Sequence, residues 1–315
     1  MKIVIIEPIG ITEDALKTLS LLLKANGHEI IAYNRRANTE EELISWVEYA
    51  DVIILANHPL TGKVINACKC LKMVDVAFTG IDHIDVEVCK AQNIMVCNAA
   101  GYATNAVAEL TIGLIIDLHR NISSHDQSMK SGTYLNPIGR ELKNKVLGIV
   151  GTGAIGIKVS EIARAFGMRV IAYSRTPKKE ALKKGVKYVD LDTLLKYSDI
   201  VSIHTPLNKE TFHLIDKTQL MKMKKSAVLI NTARAAIVDV EALIEGLNKG
   251  IIAGAGIDVF YSEPPLPRDD QIFKAKNMIL TPHIAYSTQE SLYQRAVIVF
   301  ENIKLWLEGK PQNVQ

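Results

Sequence analysis

The sequence predicts an α/β protein of two domains, each built on a doubly wound parallel sheet. Three observations predict it. Short apolar runs alternate with amphipathic stretches from residue 3 to 78, and the alternation restarts at residue 146 after a polar connector. Strands alternating with helices give a parallel sheet with helices on both faces. The chain has 315 residues, and at ~150 residues per domain that length corresponds to two. A short echo, Tyr49-Ala50-Asp51-Val52-Ile53 against Tyr197-Ser198-Asp199-Ile200-Val201, sets a helix end, an Asp and a buried strand in both halves.

Taken in order, Ile3–Ile6 reads as a buried strand and Thr12–Lys24 as a helix with Leu16, Leu19, Leu22 and Leu23 on one face. Glu29–Tyr33, Val52–Leu55 and Met73–Phe78 are the next strands, with helices at Glu40–Tyr49 and Gly62–Ala67. A long helix runs from Thr104 to Arg120, capped by Thr104 or Asn105, and a polar connector with a turn around Asn136-Pro137 follows it. The second series has strands at Val146–Val150, Arg169–Tyr173, Ile200–His204, Ala227–Asn231, Ala253–Val259 and Met278–Leu280. Its helices are Gly156–Ala165, Leu191–Tyr197, Val240–Lys249 and a last one at Gln289–Glu308.

Composition narrows the function classes. Hydrophobic residues at 48% and charged ones at 23% exclude a disordered chain. A net charge of +3 with no run of like charges gives no footprint for nucleic acid. The four cysteines, Cys68, Cys70, Cys89 and Cys97, form no C-x-x-C, which fits free thiols in a reducing cytosol, and no metal site is expected. The longest apolar stretch, Ala106–Leu118, carries Glu109, Thr111 and Asp117 and falls short of the ~20 residues that cross a bilayer. Ile3–Ile6 is interrupted too soon by Glu7 and Pro8 to be a signal segment, so the expectation is a soluble cytoplasmic protein without a membrane partner.

Gly151-Thr152-Gly153-Ala154-Ile155-Gly156 fits G-x-G-x-x-G, with an apolar strand leading in and a helix leading out. That context makes it a dinucleotide-binding turn: Gly151 for the tight bend, Gly153 for close approach of a pyrophosphate, Gly156 for packing of helix on strand. The N–H groups that open the helix, at Ala154, Ile155 and Gly156, face the phosphates. An NAD-selective site has a carboxylate at the end of the next strand. Here that strand ends in Ser174-Arg175-Thr176, followed by Lys178 and Lys179. Arg175 offers a planar cationic fork to a 2′-phosphate, and Ser174 and Thr176 add hydroxyls. The expected cofactor is therefore NADP(H), with NAD(H) possible.

Three later stretches follow apolar runs, where an open α/β sheet places its ligands. They are Asn231–Asp239, Asp258–Pro265 and Thr281–Ala285. Arg234 can hold a carboxylate and polarise a carbonyl. His283 can deliver a proton, since histidine titrates near working pH. Glu263 on the other ring nitrogen would fix the tautomer. Together they suit reduction of a 2-keto acid by hydride transfer.

With these residues in view, the sequence resembles the D-isomer-specific 2-hydroxyacid dehydrogenase family, from Ile3 through the final helix. The resemblance rests on Gly151–Gly156, Asn231–Asp239, Glu263-Pro264-Pro265 and Pro282-His283. It implies Arg234, Glu263 and His283 as the catalytic residues, with Arg234 and His283 also touching substrate. Thr104, Thr205, Pro206, Thr232, Ala233, Asp258 and Ala285 would contact the cofactor, Asp258 through the nicotinamide carboxamide. The stretch from Phe78 to Asp85 resembles the substrate loop, with backbone N–H groups around Thr79 and Gly80 holding the substrate carboxylate. Two departures stand out: Ala235 where the family has Gly, and Ser174 where NAD-preferring members have an acid.

The resemblance further implies a Rossmann dinucleotide-binding domain, residues 99–286, inserted into a flavodoxin-like substrate domain formed by 1–98 and 287–315. The apolar helix 104–120 would then be covered by the other domain or by a second copy, as in a homodimer. The expected substrates are small 2-keto or D-2-hydroxy acids. The stretch Gly101–Thr104 looks more like glycerate dehydrogenase (hydroxypyruvate reductase) or glyoxylate reductase members than D-lactate ones. The alternatives are a D-3-phosphoglycerate dehydrogenase and, from another class, a dinucleotide-sensing scaffold like the family's corepressor relatives.

Overall fold

The computed structural model of the chain describes residues 1–134 and 137–315. Asn136 of the expected turn lies outside the described residues. The chain forms two compact units, Met1–Ala103 with Ser287–Gln315, and Thr104–Tyr286. The first crossing thus falls after residue 103, against 98 expected from the sequence.

In the first unit the elements run β1 (Lys2–Ile5), α1 (Glu13–Ala25), β2 (Glu29–Ala32), α2 (Glu40–Val47), β3 (Val52–Leu55), α3 (Gly62–Ala67), β4 (Met73–Val76), α4 (Val86–Ala91) and β5 (Met95–Asn98). The strands form one five-stranded sheet in the order β2-β1-β3-β4-β5, all parallel. That is the flavodoxin-like order, in which the sheet's direction of growth reverses at β1. β3 and β4 are buried at every position; β3 is the continuous apolar run expected in a sheet covered on both faces, and β4 carries one polar residue, Asp75, in an otherwise apolar run. α1 starts at Thr12, whose side chain accepts from the Ala15 N–H. Its packed face holds Leu16, Leu19, Ser20 and Leu23, and Leu22 is 52% exposed. At ~100° per residue Leu22 stands well off the stripe through Leu16, Leu19 and Leu23, and Ser20 takes its place. The short α4 and β5 escape sequence reading because six residues and four residues give too little periodicity to register.

Residues 287–315 complete this unit. α12 (the last helix of the chain, Gln289–Leu307) opens with a reciprocal cap between Thr288 and Ser291 and packs on α1 and β4. Beyond it Asn313 and Gln315 exchange backbone hydrogen bonds with Asn98 and Val96, adding an antiparallel contact at the β5 edge. Beneath them lies a fully buried carboxyl. Asp75 Oδ1 accepts from Asn302 Nδ2 at 3.0 Å, the same amide donates to the Asn98 carbonyl, and Asn302 Oδ1 accepts from Asn313 Nδ2 at 2.9 Å. Among the described residues Asp75 Oδ2 has no partner. Burial holds this carboxyl well above the usual carboxylate range, which favours its protonated form. Burial likewise pushes the free thiols of Cys68 and Cys89 up to about 11 and Cys97 to about 12.

The second unit contains α5 (Thr104–Arg120), α6 (Ile122–Lys130), β6 (Val146–Val150), α7 (Ala154–Ala165), β7 (Arg169–Tyr173), α8 (Lys179–Lys183), β8 (Lys187–Tyr188), α9 (Leu191–Tyr197), β9 (Ile200–Ile203), α10 (Lys217–Lys222), β10 (Val228–Asn231), α11 (Val240–Asn248), β11 (Gly254–Ile257) and β12 (Met278–Leu280). Its seven-stranded sheet has the order β12-β11-β10-β9-β6-β7-β8, again all parallel, the Rossmann arrangement. The apolar helix expected at an interface is a layer of this unit's own core. Ala108, Ile112, Leu114 and Ile115 of α5 pack with Leu147, Ile149, Val159 and Ile230. Gly256 in β11 makes room for it, because a Cβ there would lie 3.1 Å from Leu114. α6 lies inside the stretch read as a connector; Ser128 is its one buried residue, so it carries no apolar stripe to betray it. No helix among the described residues is long and apolar enough to cross a membrane.

Candidate active site

The loop after β6 is shaped by its glycines. Gly151 has φ +97°, and a Cβ on it would lie 2.5 Å from the His204 carbonyl. A Cβ on Gly156 would lie 2.1 Å from the Gly151 carbonyl. Gly153 differs: it precedes α7 in extended conformation, and a Cβ on it meets nothing within 4 Å. Gly153 and Ala154 are exposed, and Ile155 packs inward. A pocket of about 340 Å³ opens here, lined by Thr104, Thr152, Gly153, Ala154, Lys158 and Lys178 among others. The first N–H groups of α7 have no acceptor within their own helix. Open backbone, helix N-terminus and nearby lysines together suit a pyrophosphate.

A residue that sequence reading missed ties this loop to the next. The Tyr188 hydroxyl lies 2.7 Å from Thr152 Oγ1 and accepts from the Lys178 N–H at 2.9 Å. It bridges the glycine loop and the turn after β7, and its only sequence signal was a tyrosine at a strand end. On that turn Ser174 Oγ donates to the Thr176 carbonyl at 3.3 Å. Arg175 projects outward, 75% exposed, with Nη1 2.6 Å from Glu210 Oε2. Glu210 also went unmarked in the sequence, since it lies 35 residues away on another loop.

Beyond β9, Thr205 and Pro206 follow His204, whose Nε2 lies 2.8 Å from Ser202 Oγ. Desolvation pushes that imidazole down to about 3, so it stands neutral. Beyond β10, Asn231 builds the turn that carries Arg234: its Oδ1 accepts from the Ala233 N–H and its Nδ2 donates to the Arg234 carbonyl. Thr232 is held through its hydroxyl, 3.2 Å from that of Thr111 on α5. Ala235 opens the 3-10 turn Ala235–Ile237, a right-handed conformation with no need of glycine.

Asp258, at the end of β11, is fully buried. Its Oδ1 accepts from Thr281 Oγ1 and the Ile284 N–H, and its Oδ2 from the Ala285 N–H, at 2.6–2.9 Å. One carboxylate therefore pins the segment 281–285 on both sides of His283, which itself sits at φ +56°. His283 Nδ1 lies 2.9 and 3.0 Å from the two Glu263 oxygens, and Tyr286 packs edge-on at 5.6 Å. Arg234, Glu263 and His283 thus leave the carboxyl ends of three adjacent strands, β10, β11 and β12. With Nδ1 on a carboxylate, His283 keeps Nε2 for a proton in transit.

In the first unit, Thr79 is exposed and Gly80 half-buried on the loop after β4. Asn98 Nδ2 donates to the Thr79 carbonyl at 2.8 Å. The buried Arg295 guanidinium stacks on Phe78 at 4.8 Å and donates to the Ile9 carbonyl.

Residues 112–285 match the family described as D-isomer specific 2-hydroxyacid dehydrogenase, NAD binding domain. A glyoxylate reductase of Thermofilum pendens is 39% identical over 86% of this chain and 83% of its own. The chain belongs to the D-isomer-specific 2-hydroxyacid dehydrogenase family. Members of this family are oxidoreductases acting on CH–OH donors. A D-3-phosphoglycerate dehydrogenase of Archaeoglobus fulgidus is 37% identical over 99% of this chain, which spans 58% of that relative's length. Among solved structures, an acyclic imino acid reductase in complex with NADPH and D-Arg superposes with a TM-score of 0.89 at 31% identity, covering both chains completely.

Proposed function

We propose that this dehydrogenase reduces small 2-keto acids, glyoxylate or hydroxypyruvate, to the D-2-hydroxy acids, with NADPH preferred over NADH. The bound dinucleotide supplies the hydride to the keto carbon. Arg234 holds the substrate carboxylate and polarises the carbonyl, with backbone N–H groups at Thr79 and Gly80 as further donors. His283 delivers a proton from Nε2 to the carbonyl oxygen, and Glu263 orients the ring and steadies its charged form. The observation that carries the reading is the His283–Glu263 contact on a segment anchored by Asp258.

For the cofactor, Gly151–Gly156 takes the pyrophosphate, and Thr104, Thr205, Pro206, Thr232, Ala233 and Ala285 line its course. Asp258 adds a contact to the carboxamide beside its anchoring role. Arg175, with Ser174 and Thr176, takes the 2′-phosphate by exchanging an exposed ion pair with Glu210, an exchange that costs little because such pairs contribute ~0–1 kcal/mol. Assembly as a homodimer is part of this reading.

Steady-state oxidation of NADPH and NADH, each with glyoxylate and hydroxypyruvate, tests it. Turnover with kcat/KM higher for NADPH supports the proposal. Absence of turnover with any short 2-keto acid rejects it in favour of a dinucleotide-sensing scaffold.

A further inference from the structure

We infer that Arg295 is a positioning residue for the substrate carboxylate: its buried guanidinium holds Phe78, and through it the N–H groups of Thr79 and Gly80, in the orientation that receives the anion. The inference rests on the 2-keto acid reading above and adds to it a residue that acts through another.

The loop after β4 is oriented first by its carbonyls. The Phe78 carbonyl accepts from the Ala99 N–H at 2.9 Å, and the Thr79 carbonyl from Asn98 Nδ2 at 2.8 Å. Both donors stand at the end of β5. The peptides 78–79 and 79–80 are trans, so each N–H points opposite to its carbonyl. The N–H groups of Thr79 and Gly80 are therefore turned together away from β5, and among the described residues neither donates a hydrogen bond. Two successive N–H groups aimed one way suit a carboxylate.

Arg295 holds the same loop by its side chain. It lies on the inward face of α12, 3% exposed, among the buried Ser291, Val299 and Asn302. Its guanidinium sits 4.8 Å from the Phe78 ring and 5.7 Å from the Tyr102 ring, and the two rings meet edge to face at 6.0 Å. Nη2 donates to the Ile9 carbonyl at 2.7 Å. Gly10 follows at φ +74°, and a Cβ on it would lie 3.2 Å from Nη2. One planar cation thus joins the loops after β1, β4 and β5 at the carboxyl end of the sheet.

An apolar residue would occupy this position at smaller cost, because a cation gives up its hydration on burial. What the guanidinium adds is a flat charged face for two rings and a donor for a carbonyl. Phe78 is the residue directly before the two N–H groups, so a ring held still on one side and carbonyls held on the other leave the intervening peptides little room to rock.

The test is the KM-against-kcat split of Arg295→Met with glyoxylate and hydroxypyruvate. A contact made equally in ground and transition states shows in KM. KM is expected to rise about 10- to 30-fold, with kcat within threefold and dinucleotide affinity within twofold, since Gly151–Gly156 belongs to the other unit. Phe78→Leu should give the same pattern. The double variant should raise KM no more than about twofold beyond the larger single loss, because the two residues act in series. Arg295→Lys keeps the charge without the plane and replaces the Met variant if that one does not fold; its KM is expected to rise at least threefold. A wild-type KM in the folded Arg295 variant, losses that multiply in the double variant, or an equal loss of dinucleotide affinity overturns the inference.

Calorimetry with oxamate, an unreactive analogue of a 2-keto acid, separates this inference from the catalytic reading. The probe is titrated into dinucleotide-loaded wild type and Arg295 variant. Tenfold weaker binding by Arg295→Met supports the positioning role even if wild type reduces no 2-keto acid, which would reject only the catalytic reading. Equal affinities, or no binding of oxamate by wild type, overturn the positioning role, while turnover in wild type leaves the catalytic reading intact.

Discussion

His283 Nδ1 lies within hydrogen-bond distance of both oxygens of Glu263, at 2.9 and 3.0 Å, so a single carboxylate determines which ring nitrogen is left for chemistry. Glu263→Gln keeps the shape but removes the negative partner, and is expected to lower kcat about 10- to 100-fold with KM for the dinucleotide unchanged. His283→Ala is expected to cost about 10²–10⁴-fold, the usual contribution of a positioned acid. Stopped-flow single-turnover rates check both: a near-normal rate in His283→Ala would remove the histidine from the reaction, and one in Glu263→Gln would remove the need for a carboxylate partner.

Gly153→Ala separates binding from folding. The added methyl meets no protein atom within 4 Å and the backbone is in an allowed region, so thermal unfolding should stay within about 2 °C of wild type. It projects where the pyrophosphate is expected, and dinucleotide affinity should fall by about tenfold or more, read by fluorescence titration. Gly156→Ala should instead destabilise the unit by about 2 kcal/mol or more, because its methyl meets the Gly151 carbonyl at 2.1 Å.

Arg175→Ala should weaken NADPH by about 10- to 100-fold and NADH by less than threefold, the difference a charge-assisted contact to phosphate is worth. Glu210→Gln releases Arg175 from its present partner and should tighten NADPH modestly. Equal losses for the two dinucleotides in Arg175→Ala would show that the guanidinium does not read the 2′-phosphate.

Asp75 gives a pH signature. Burial raises its carboxyl in the folded chain, so between its ordinary value of 3.8 and its native one the unfolded chain has released a proton that the folded chain keeps. Stability therefore falls as pH rises through that window, by up to about 1.4 kcal/mol per pH unit. Asp75→Asn keeps an oxygen for Asn302 and removes this slope. It should raise Tm at pH 7.5 by several degrees and flatten the profile of Tm above pH 4, measured by calorimetry.

The parts of this molecule legible in the sequence were those with a local cause. Val52–Leu55 and Val146–Val150 announce buried parallel strands by unbroken apolar runs, and Gly151–Gly156 announces a phosphate loop by three glycines at fixed offsets between a strand and a helix, although only Gly156 meets its steric neighbour within the loop itself. What stayed hidden depends on partners distant in the chain. Tyr188 against Thr152, Glu210 against Arg175 and Glu7 against Arg36 each join residues some 30 apart, and no periodicity encodes such pairs. The role of Asp258 was half visible: its place at a strand end marked it for the site, but its grip on residues 281–285 follows only from the return of β12 beside β11. For the helix α5, hydrophobicity tells that a face is covered and not by what, and one face packs in the core of its own unit.

The threading of one unit through the other sets an order of events at the ribosome. Thr104–Tyr286 is contiguous and can close its sheet as soon as it emerges. The five-stranded sheet is made earlier yet must wait, with Asp75 and the outer side of β4 bare, until α12 arrives after the whole of the inserted unit. Nascent chains whose Tyr286 has just cleared the exit tunnel should thus hold a finished nucleotide fold beside an open, sticky one, a natural client for chaperones that guard exposed β-sheet.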